Sequence, residues 1–266
     1  MKINQYSYNY RLNIVIFILL LLCSFVLTNP QGCSICLQPL DSTFSIDAWG
    51  NAFHTDHEQE GVFCYSCSRI ISQGVTQGGY IYSDGRHLCS LCIISAVNDD
   101  TIIQTSYQEV LLQFEKVGIL HIPRNIPVKL VNQQQLNKKA GEMSHIKLKG
   151  FTIIDPMARK VEQSVDKYEI SILFGLPQIE FEAVLAHELL HVWLHQNKIV
   201  LSSQLKEGFC NLGSYLIYNN DNTHFSAIHL QAMSSYKNIV YGQGYREMRV
   251  QLEKLGWKKL ISDLKN

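Results

Sequence analysis

The residues best suited to chemistry lie in the stretch AHELLHVWLH at positions 186–195. His187 and His191 are four positions apart, so on a helix they project from one face and both imidazoles can reach a single ion. Glu188 follows the first histidine, where its carboxylate can take a proton from a water molecule without ligating the ion. Zinc at such a site lowers the pKa of water to about 7. The motif therefore predicts zinc-dependent hydrolysis, and the alternative is a chance match on a packed helix.

A zinc ion held by two histidines needs a third protein ligand. His195 lies eight residues after His187. That separation is about 12 Å along a helix axis and too long to share the ion, so we interpret His195 as a surface residue or one near the site. Glu207 in KEGFCN is the best candidate ligand, and a solvated helix charge is the alternative. Asn211 follows by four residues on the same helix face, where its side-chain oxygen can accept the free N–H of a ligating histidine.

Pairs of cysteine or histidine with two intervening residues recur between positions 33 and 92. They are Cys33/Cys36, His54/His57, Cys64/Cys67 and Cys89/Cys92, separated by 17, 6 and 21 residues. A C-x-x-C pair presents two thiolates at the separation that tetrahedral zinc requires, and four such pairs fill two sites. A disulfide framework is the alternative, because secreted proteins favour disulfides. However, a C-x-x-C disulfide closes a loop too short to constrain much, and it gives the histidines no role.

The spacing of these pairs resembles a LIM domain, in which two fused zinc fingers take their ligands in sequence. The resemblance implies two structural zinc ions, the first held by Cys33, Cys36, His54 and His57 and the second by Cys64, Cys67, Cys89 and Cys92. Two features depart from the usual pattern. His57 stands where a cysteine usually follows the histidine, and the gap from His57 to Cys64 is longer than usual. Both departures leave the number of ligands intact.

The N-terminus predicts a secretory signal peptide over residues 1–28. Lys2 and Arg11 precede an apolar run of 14 residues, Ile14–Leu27, which is shorter than the roughly 20 residues that a bilayer span needs. We therefore expect a secreted or lumenal protein with no stable membrane span after cleavage. An uncleaved segment that anchors the chain to a membrane is the alternative.

Composition and cysteine distribution set the domain organisation. The 266 residues are 46% hydrophobic, with 23 basic and 23 acidic side chains, as is typical of a folded protein. Since the chain has no dense Lys/Arg run, nucleic acid is not an expected partner. The cysteine-rich pattern ends before residue 100, which predicts a LIM-like zinc-binding domain over residues 29–100 and an HExxH metallopeptidase domain over 101–266.

The elements that must position the HExxH motif form an α+β domain. Sequence patterns predict helices at 107–119, 179–194 and from about 203, and strands at 127–131, 151–155 and 168–174. The HExxH helix is apolar around most of its circumference, which indicates burial. The predicted fold is a small sheet packed on this helix and on further helices. Gly208 and Gly213 on the Glu207 helix permit close backbone approach to the HExxH helix.

Three segments together resemble one known family. FGLPQIEFEAVLAHELLHVWL, KEGFCN and VYGQGYR are similar to the peptidase domain of the plant organ-size regulators of the DA-one type, small gluzincins that follow a LIM domain. The resemblance implies a gluzincin-type zinc endopeptidase with His187, His191 and Glu207 as ligands and Glu188 as the base. The plant members carry ubiquitin-interacting motifs ahead of the LIM domain. This chain has the apolar N-terminus there, so we do not expect ubiquitin control to carry over.

The function expected from these patterns is a secreted or lumenal zinc endopeptidase with one catalytic and two structural zinc ions. Its substrate is a protein or peptide, Glu188 is the general base, and the strand at 168–174 aligns the substrate as an added strand. Tyr241, Tyr215 and His224 are unranked candidates for stabilising the oxyanion. The alternative is a secreted, non-catalytic zinc-binding adaptor that binds a protein partner through the LIM-like domain.

Overall fold

The computed structural model of this chain describes residues 32–141, 148–155 and 167–266. The predicted signal peptide lies outside these ranges. The chain divides into two compact units, the first ending at Gly61 and the second running from Val62 to Asn266. The boundary predicted near residue 100 falls inside the second unit and stays a prediction. Over the described ranges, no helix has both the length and the apolar character needed to cross a bilayer.

The first unit is a small hairpin module. Strands β1 (Phe44–Ile46) and β2 (Ala52–His54) pair antiparallel, and a one-turn helix α1 (His57–Glu60) follows. Asp47 holds the connecting turn, because its Oδ1 accepts hydrogen bonds from the backbone of Trp49 and Asn51, each at 2.9 Å. Few apolar side chains of this unit are buried. In a module with so small a core, a bound metal would supply much of the stability.

The second unit begins with a cysteine-rich segment and continues into a larger helical domain. Its first elements are α2 (Gln73–Thr76), β3 (Gly79–Ile81), β4 (His87–Cys89), α3 (Ser90–Ile93) and α4 (Asp100–Val117). The next elements are β5 (Val128–Val131), α5 (Gln133–Ala140), β6 (Gly150–Asp155), β7 (Lys167–Leu173), α6 (Gln178–Gln196) and α7 (Ser203–Asn220). The last are α8 (His224–Ser235), a π-helical turn (Ile239–Gln243) and α9 (Gly244–Lys265). A non-helical residue, Gly256, breaks α9.

The sheet of the larger domain has the order β5–β7–β6. Strand β7 is central, parallel to β5 and antiparallel to β6, and its Ile170, Ile172 and Leu173 are fully buried. Because both edges of β7 are paired, the expectation that the strand at 168–174 aligns a substrate is wrong. Within the described ranges β5 and β6 each pair only with β7, so both have an unpaired edge, and β6 is the one that contacts Glu188.

Helix α6 forms the centre of the core, as its apolar circumference predicts. It begins directly after Pro177, ends at Gln196, and fully buries Leu189, Leu190 and Trp193. The three predicted strands and the predicted helices are confirmed within a few residues. Helix α4 starts earlier than predicted, at Asp100, because the Asp99 side chain accepts hydrogen bonds from the first backbone amides. The prediction of a mixed helical and small-sheet fold is therefore confirmed.

Helices α6 and α7 approach each other closely at one glycine. A Cβ on Gly213 would lie 2.8 Å from the Ala186 carbonyl oxygen, so only glycine fits at that position. Gly208 does not face α6, contrary to the prediction. A Cβ there would lie 2.2 Å from the Gly244 carbonyl oxygen, at the start of α9. The two glycines thus seat α7 against two different helices.

Candidate functional site

The structure brings together three side chains from α6 and α7. His187 Nε2 and His191 Nε2 are 3.2 Å apart. Glu207 Oε2 lies 3.3 Å from His187 Nε2 and 3.6 Å from His191 Nε2. The i, i+4 spacing places both imidazoles on one face of α6, and α7 places the carboxylate opposite them. All three side chains are partly buried.

These separations fit a small tetrahedral ion. With metal–nitrogen and metal–oxygen bonds of about 2.0–2.1 Å, two ligand atoms of a tetrahedral zinc site lie about 3.3–3.4 Å apart. The observed separations of 3.2, 3.3 and 3.6 Å fall around that value. Two histidines and one carboxylate leave the fourth position of a tetrahedron for a water molecule or substrate, the arrangement of catalytic zinc sites. The donor set therefore fits zinc.

Hydrogen bonding outside the cluster orients His187. Asn211 Oδ1 lies 3.0 Å from His187 Nδ1 and is placed to accept its hydrogen, which leaves Nε2 for the ion. Asn211 Nδ2 in turn donates to the Tyr241 carbonyl oxygen at 3.3 Å. Asn211 therefore connects the histidine to the π-helical turn, an irregular element often found at functional sites.

Glu188 lies beside the cluster in the same cavity lining, is not one of the three converging groups, and contacts strand β6. Its side chain is only 5% exposed. Thr152 Oγ1 donates to Glu188 Oε2 at 2.6 Å, and the same hydroxyl lies 3.2 Å from the Glu188 backbone oxygen. A Cβ on Gly150 would lie 2.6 Å from Glu188 Oε1, so β6 runs directly against the carboxylate. Thr152 and Gly150 were not predicted as site residues.

A cavity of about 390 Å³ opens over this cluster. Its polar floor includes His187, Glu188, His191, Glu207 and Tyr241. Its apolar wall is formed by Leu148, Phe151, Ile154, Leu194 and Ile199. The cavity has the composition of a ligand site, namely a few convergent polar groups within apolar walls.

Electrostatics tie the ligand side chains to one another. Burial alone would raise the pKa of Glu207, but hydrogen bonds with His187 and His191 outweigh it and hold the pKa well below its usual range. Burial alone would lower the pKa of His187, but Glu207 and Glu188 outweigh it and raise the pKa. The Glu207 carboxylate and the His187 imidazole therefore stabilise each other's charged forms. A divalent cation supplies the same compensation.

The structure separates the candidate oxyanion donors. Tyr241 lines the cavity beside the ligands, and burial, followed by Glu207 and Glu188, raises the pKa of its phenol well above the usual value. Tyr215 donates to Asn219 at 2.9 Å and lies under the guanidinium of Arg249, away from the cavity lining. His224 begins α8 and is exposed. Tyr241 is thus the candidate that the geometry retains.

His195 lines the cavity without joining the ligand cluster. Its Nδ1 lies 3.0 Å from the Tyr168 hydroxyl, and the two rings meet edge to face. The metal-ligand cluster at this place contains His187, His191 and Glu207 only, as far as the described residues go. The interpretation of His195 as a residue near the site agrees with this position.

The two groups of paired cysteines and histidines each converge on one point, and we name them the first and second clusters. The first cluster consists of Cys33, Cys36, His54 and His57, and the second of Cys64, Cys67, Cys89 and Cys92; within each, the ligand atoms lie within 4.8 Å of one another. None of the seven cysteines in the described ranges takes part in a disulfide. The grouping is the one that the LIM resemblance implies.

Distances and acidity within the clusters also suit zinc. Cys67 Sγ and Cys89 Sγ are 3.7 Å apart, and two sulfurs bound to tetrahedral zinc at about 2.3 Å lie about 3.8 Å apart. Cys36 Sγ and His54 Nδ1 are 3.4 Å apart. The hydrogen bond with Cys67 is the main cause that lowers the pKa of Cys64 to about 6. Thiolate is the form that ligates a metal.

Comparisons with known proteins agree with this geometry. A family model described as "DA1-like: Protein DA1" matches residues 147–238. The chain is 26% identical over 251 residues to "LIM domain-containing protein HDR3" of Oryza sativa subsp. japonica, covering 81% of this chain and 49% of that protein. It is 27% identical over 231 residues to "Protein DA1-related 2" of Arabidopsis thaliana, covering 73% of this chain and 43% of that protein.

"Protein DA1" of Arabidopsis thaliana is also similar, at 23% identity over 274 residues, covering 81% of this chain and 51% of that protein. The chain thus spans about half the length of the curated relatives it matches. No solved structure matches the chain. The matched segment of the family model contains the HExxH motif, Glu207 and Asn211. The chain is therefore similar to DA1-like proteins across both the cysteine-rich segment and the site.

Proposed function

We propose that this chain is a zinc-dependent endopeptidase of the gluzincin type, related to the DA1-like proteins. The observation that carries the proposal is the convergence of His187, His191 and Glu207 at separations of 3.2–3.6 Å, with Glu188 beside them. Zinc held there would polarise the carbonyl of the scissile bond and make water acidic enough to be deprotonated near neutral pH. The similarity to DA1-like proteins supports the same function.

Glu188 is the general base in this proposal. Thr152 donates to Oε2 of its carboxylate at 2.6 Å, which leaves Oε1 to accept a proton from the attacking water. Burial restricts the rotamers of Glu188 and excludes bulk solvent from its carboxylate. The same oxygen then passes the proton to the leaving amine, so the carboxylate is regenerated as the peptide bond breaks.

The unpaired edge of β6 is the surface on which the substrate lies. An extended peptide can add to such an edge through main-chain hydrogen bonds, which suits a protein substrate of varied sequence. Gly150 and Thr152 contact Glu188, so a peptide on this edge passes the general base. Phe151 and Ile154 belong to the apolar cavity wall and favour apolar substrate side chains near the cleaved bond.

Tyr241 donates to the oxygen that becomes negatively charged during the attack. Its raised pKa keeps the phenol protonated near neutral pH, as a hydrogen-bond donor must be. The hydrogen bond from Asn211 to the Tyr241 carbonyl fixes the π-helical turn relative to His187. The donor and the ligand cluster are thereby held by one amide side chain.

The proposal places the enzyme in the secretory pathway, on the strength of the signal-like N-terminus.

A second candidate function is protein binding by the LIM-like segment. Tyr80, Ile81 and Ile94 of the second unit are large apolar residues with exposures of 61%, 70% and 83%. Exposed apolar groups of this kind suit a protein partner. Binding of a partner is compatible with catalysis, whereas a pure adaptor would show no turnover.

Replacing Glu188 by Gln tests the proposal. The amide cannot take a proton, so we expect cleavage of an unfolded protein substrate to fall by about 10²–10⁴-fold with the zinc content unchanged. Glu115→Gln, on the exposed side of α4, is the matched control and should cleave as the wild type does. Equal rates for Glu188→Gln and wild type would refute the role of Glu188. A wild-type protein that holds zinc but cleaves nothing would favour the adaptor.

A further inference from the structure

Lys149 occupies the position immediately before strand β6 and is tied to two elements. Its ammonium group pairs with Glu180 Oε1 in the first turn of α6. Its backbone oxygen accepts a hydrogen bond from Leu173 N of β7 at 2.9 Å. Lys149 therefore holds the start of β6 to the HExxH helix through its side chain and to the sheet through its main chain.

The side chain of Lys149 also contacts Tyr65, which follows Cys64 of the second cluster. Its Nζ lies 5.2 Å from the centre of the Tyr65 ring, and Tyr65 is the residue between Cys64 and Ser66 in the Cys64/Cys67 turn. Tyr65 is itself fixed, because its backbone N donates to the His87 oxygen at 2.7 Å and its hydroxyl donates to Gln133 Oε1 at 3.3 Å. The ammonium group is thus bracketed by a zinc-binding turn and the HExxH helix.

A second contact fixes the same turn to the sheet. The Arg86 guanidinium lies 4.8–5.3 Å from the ring centres of Tyr65, Tyr82 and Phe174. Its Nη2 donates to the Phe174 backbone oxygen at 3.0 Å, and its Nε pairs with Asp84 at 2.9 Å. Such cation–aromatic contacts stabilise the packing of the turn against the strand. The second cluster is therefore attached firmly to the end of β7.

The ion pair between Lys149 and Glu180 carries a large desolvation penalty, because the carboxylate is buried. The Glu180 side chain is 1% exposed, and its Oε2 finds no hydrogen-bond partner among the described residues. Among the described residues, Ser66 Oγ and His229 Nε2 are also buried without a hydrogen-bond partner. Apolar side chains of similar volume are often as stable as a buried ion pair or more so. The pair therefore calls for a role other than stability.

That role follows from what β6 contacts. The residue after Lys149 is Gly150, which lies so close to Glu188 Oε1 that a Cβ atom would not fit between them. Two residues further on, Thr152 supplies the hydrogen bond to Glu188 Oε2. A shift at the start of β6 would move both contacts together. Displacements on the order of 1 Å at a catalytic group can cost about 10²-fold in rate.

We propose that Lys149 is a positioning residue, which holds β6 against Glu188 by pairing with Glu180 and contacting Tyr65 in the Cys64/Cys67 turn. The second cluster thereby sets the geometry of the general base, although none of its ligands reaches the cavity lining. The inference rests on the proposed peptidase function, because it assigns a role in placing Glu188. Loss of the Lys149 contacts should leave His187, His191 and Glu207 in place.

The test uses the full chain and a pair of variants. Lys149→Met removes the charge at similar length, and Lys149→Met/Glu180→Gln also removes the buried carboxylate that the single variant leaves unpaired. Lys139→Met is the matched control, because its lysine is also 27% exposed and also pairs with a glutamate, Glu169 on β7. We measure kcat and KM, the thermal unfolding midpoint, bound zinc, and hydrogen exchange of the backbone amides at 151–154.

We expect kcat of Lys149→Met to fall about 10–100-fold, with faster amide exchange at 151–154 and zinc content equal to wild type. The double variant should recover the unfolding midpoint but not kcat, which a merely structural pair would not do. The control should match wild type in kcat and in exchange.

Wild-type kcat in the single variant, or recovery of kcat together with stability in the double variant, would overturn the inference. Lost activity with unchanged exchange at 151–154 would also overturn it, because β6 would not have moved. Failure of the proposed function is distinguishable. In that case the wild type itself shows no turnover, while the exchange measurement still reports whether Lys149 positions β6.

Discussion

The first and second clusters share the same pair spacing in sequence but have different surroundings. In the first cluster only Cys33 is buried, while Cys36, His54 and His57 are partly exposed. In the second cluster all four cysteines are buried, and Cys89 is fully inaccessible. The first belongs to a unit with little core of its own, and the second to the unit that contains α6 and the site. Ligand spacing therefore indicates a metal but not the structural context of that metal.

The difference concerns what each metal would stabilise. Zinc in the first cluster would order a hairpin and one helical turn. Zinc in the second cluster would order the Cys64/Cys67 turn, on which Lys149 and Arg86 rest, and through them the sheet and α6. Removing each cluster should therefore have unequal effects on the second unit.

Truncation tests this difference with the largest expected effect. A chain of residues 62–266 keeps the second cluster with its packing partners, so we expect it to fold cooperatively and bind two zinc ions. A chain of residues 101–266 loses Tyr65, Tyr82 and Arg86, and exposes the apolar surface that they cover. We expect it to be insoluble or to lack a cooperative unfolding transition, measured by circular dichroism. A folded 101–266 chain would instead favour the domain boundary near residue 100.

Single cysteine substitutions test the same difference in the full chain. Zinc binding contributes on the order of 10 kcal/mol to the folding of small zinc modules. We expect Cys89→Ser to lose one zinc ion and to lower the unfolding midpoint of the second unit by more than about 10 °C, at about 2–4 °C per kcal/mol. Cys36→Ser, the matched substitution in the first cluster, should also lose one zinc ion but leave that midpoint and the peptidase rate unchanged. Equal midpoints for the two variants would remove the distinction between the clusters.

The smallest expected effect concerns His229, which the second unit buries against Tyr218 and Phe225. Burial lowers the pKa of His229 from 6.5 to about 4. Between these values the unfolded chain binds a proton that the folded protein does not, so the free energy of unfolding falls as the pH decreases from about 6.5 to 4. His229→Phe removes this titration and should flatten the dependence by about 3 kcal/mol.

Denaturant titrations at several pH values measure this effect. Zinc release at low pH is common to His229→Phe and the wild type, so the difference between the two isolates the imidazole. The first unit offers no counterpart, since the histidines described there, His54 and His57, belong to its ligand cluster. Parallel pH curves for the two proteins would show that His229 titrates alike in the folded and unfolded states.

Much of the site follows from local sequence rules. The helical period alone places His187 and His191 on one face, and the same period places Asn211 on the face of Glu207. The strands were recognisable from β-branched runs such as FTIID, and α6 from its apolar circumference. These features depend on residues close together in the chain, for which periodicity is a sufficient guide.

The features that sequence reasoning missed all depend on long-range pairing. The order β5–β7–β6 is not the order of the strands in the chain, so sequence patterns do not show that β7, the strand expected to align a substrate, is central and that β6 lies at an edge. Thr152 meets Glu188 and Lys149 meets Glu180 only because β6 pairs antiparallel with β7 beside α6. From sequence alone, a lysine just before a strand is expected to be a solvated charge, and the pairing with Glu180 is visible only in the structure. Gly208 was assigned to the wrong helix for the same reason.

The contact between Gly213 and the Ala186 carbonyl has a consequence for the choice of ion. It brings the two ligand-bearing helices together through main-chain atoms, which have no rotamers to adjust. A ligand set of that size suits ions with bonds of about 2.0–2.1 Å. Calcium, with bonds of about 2.3–2.6 Å and six to eight oxygen ligands, would require the helices to separate. The close approach at Gly213 would therefore favour an ion of the size of zinc, although Gly213 is not itself one of the three converging residues.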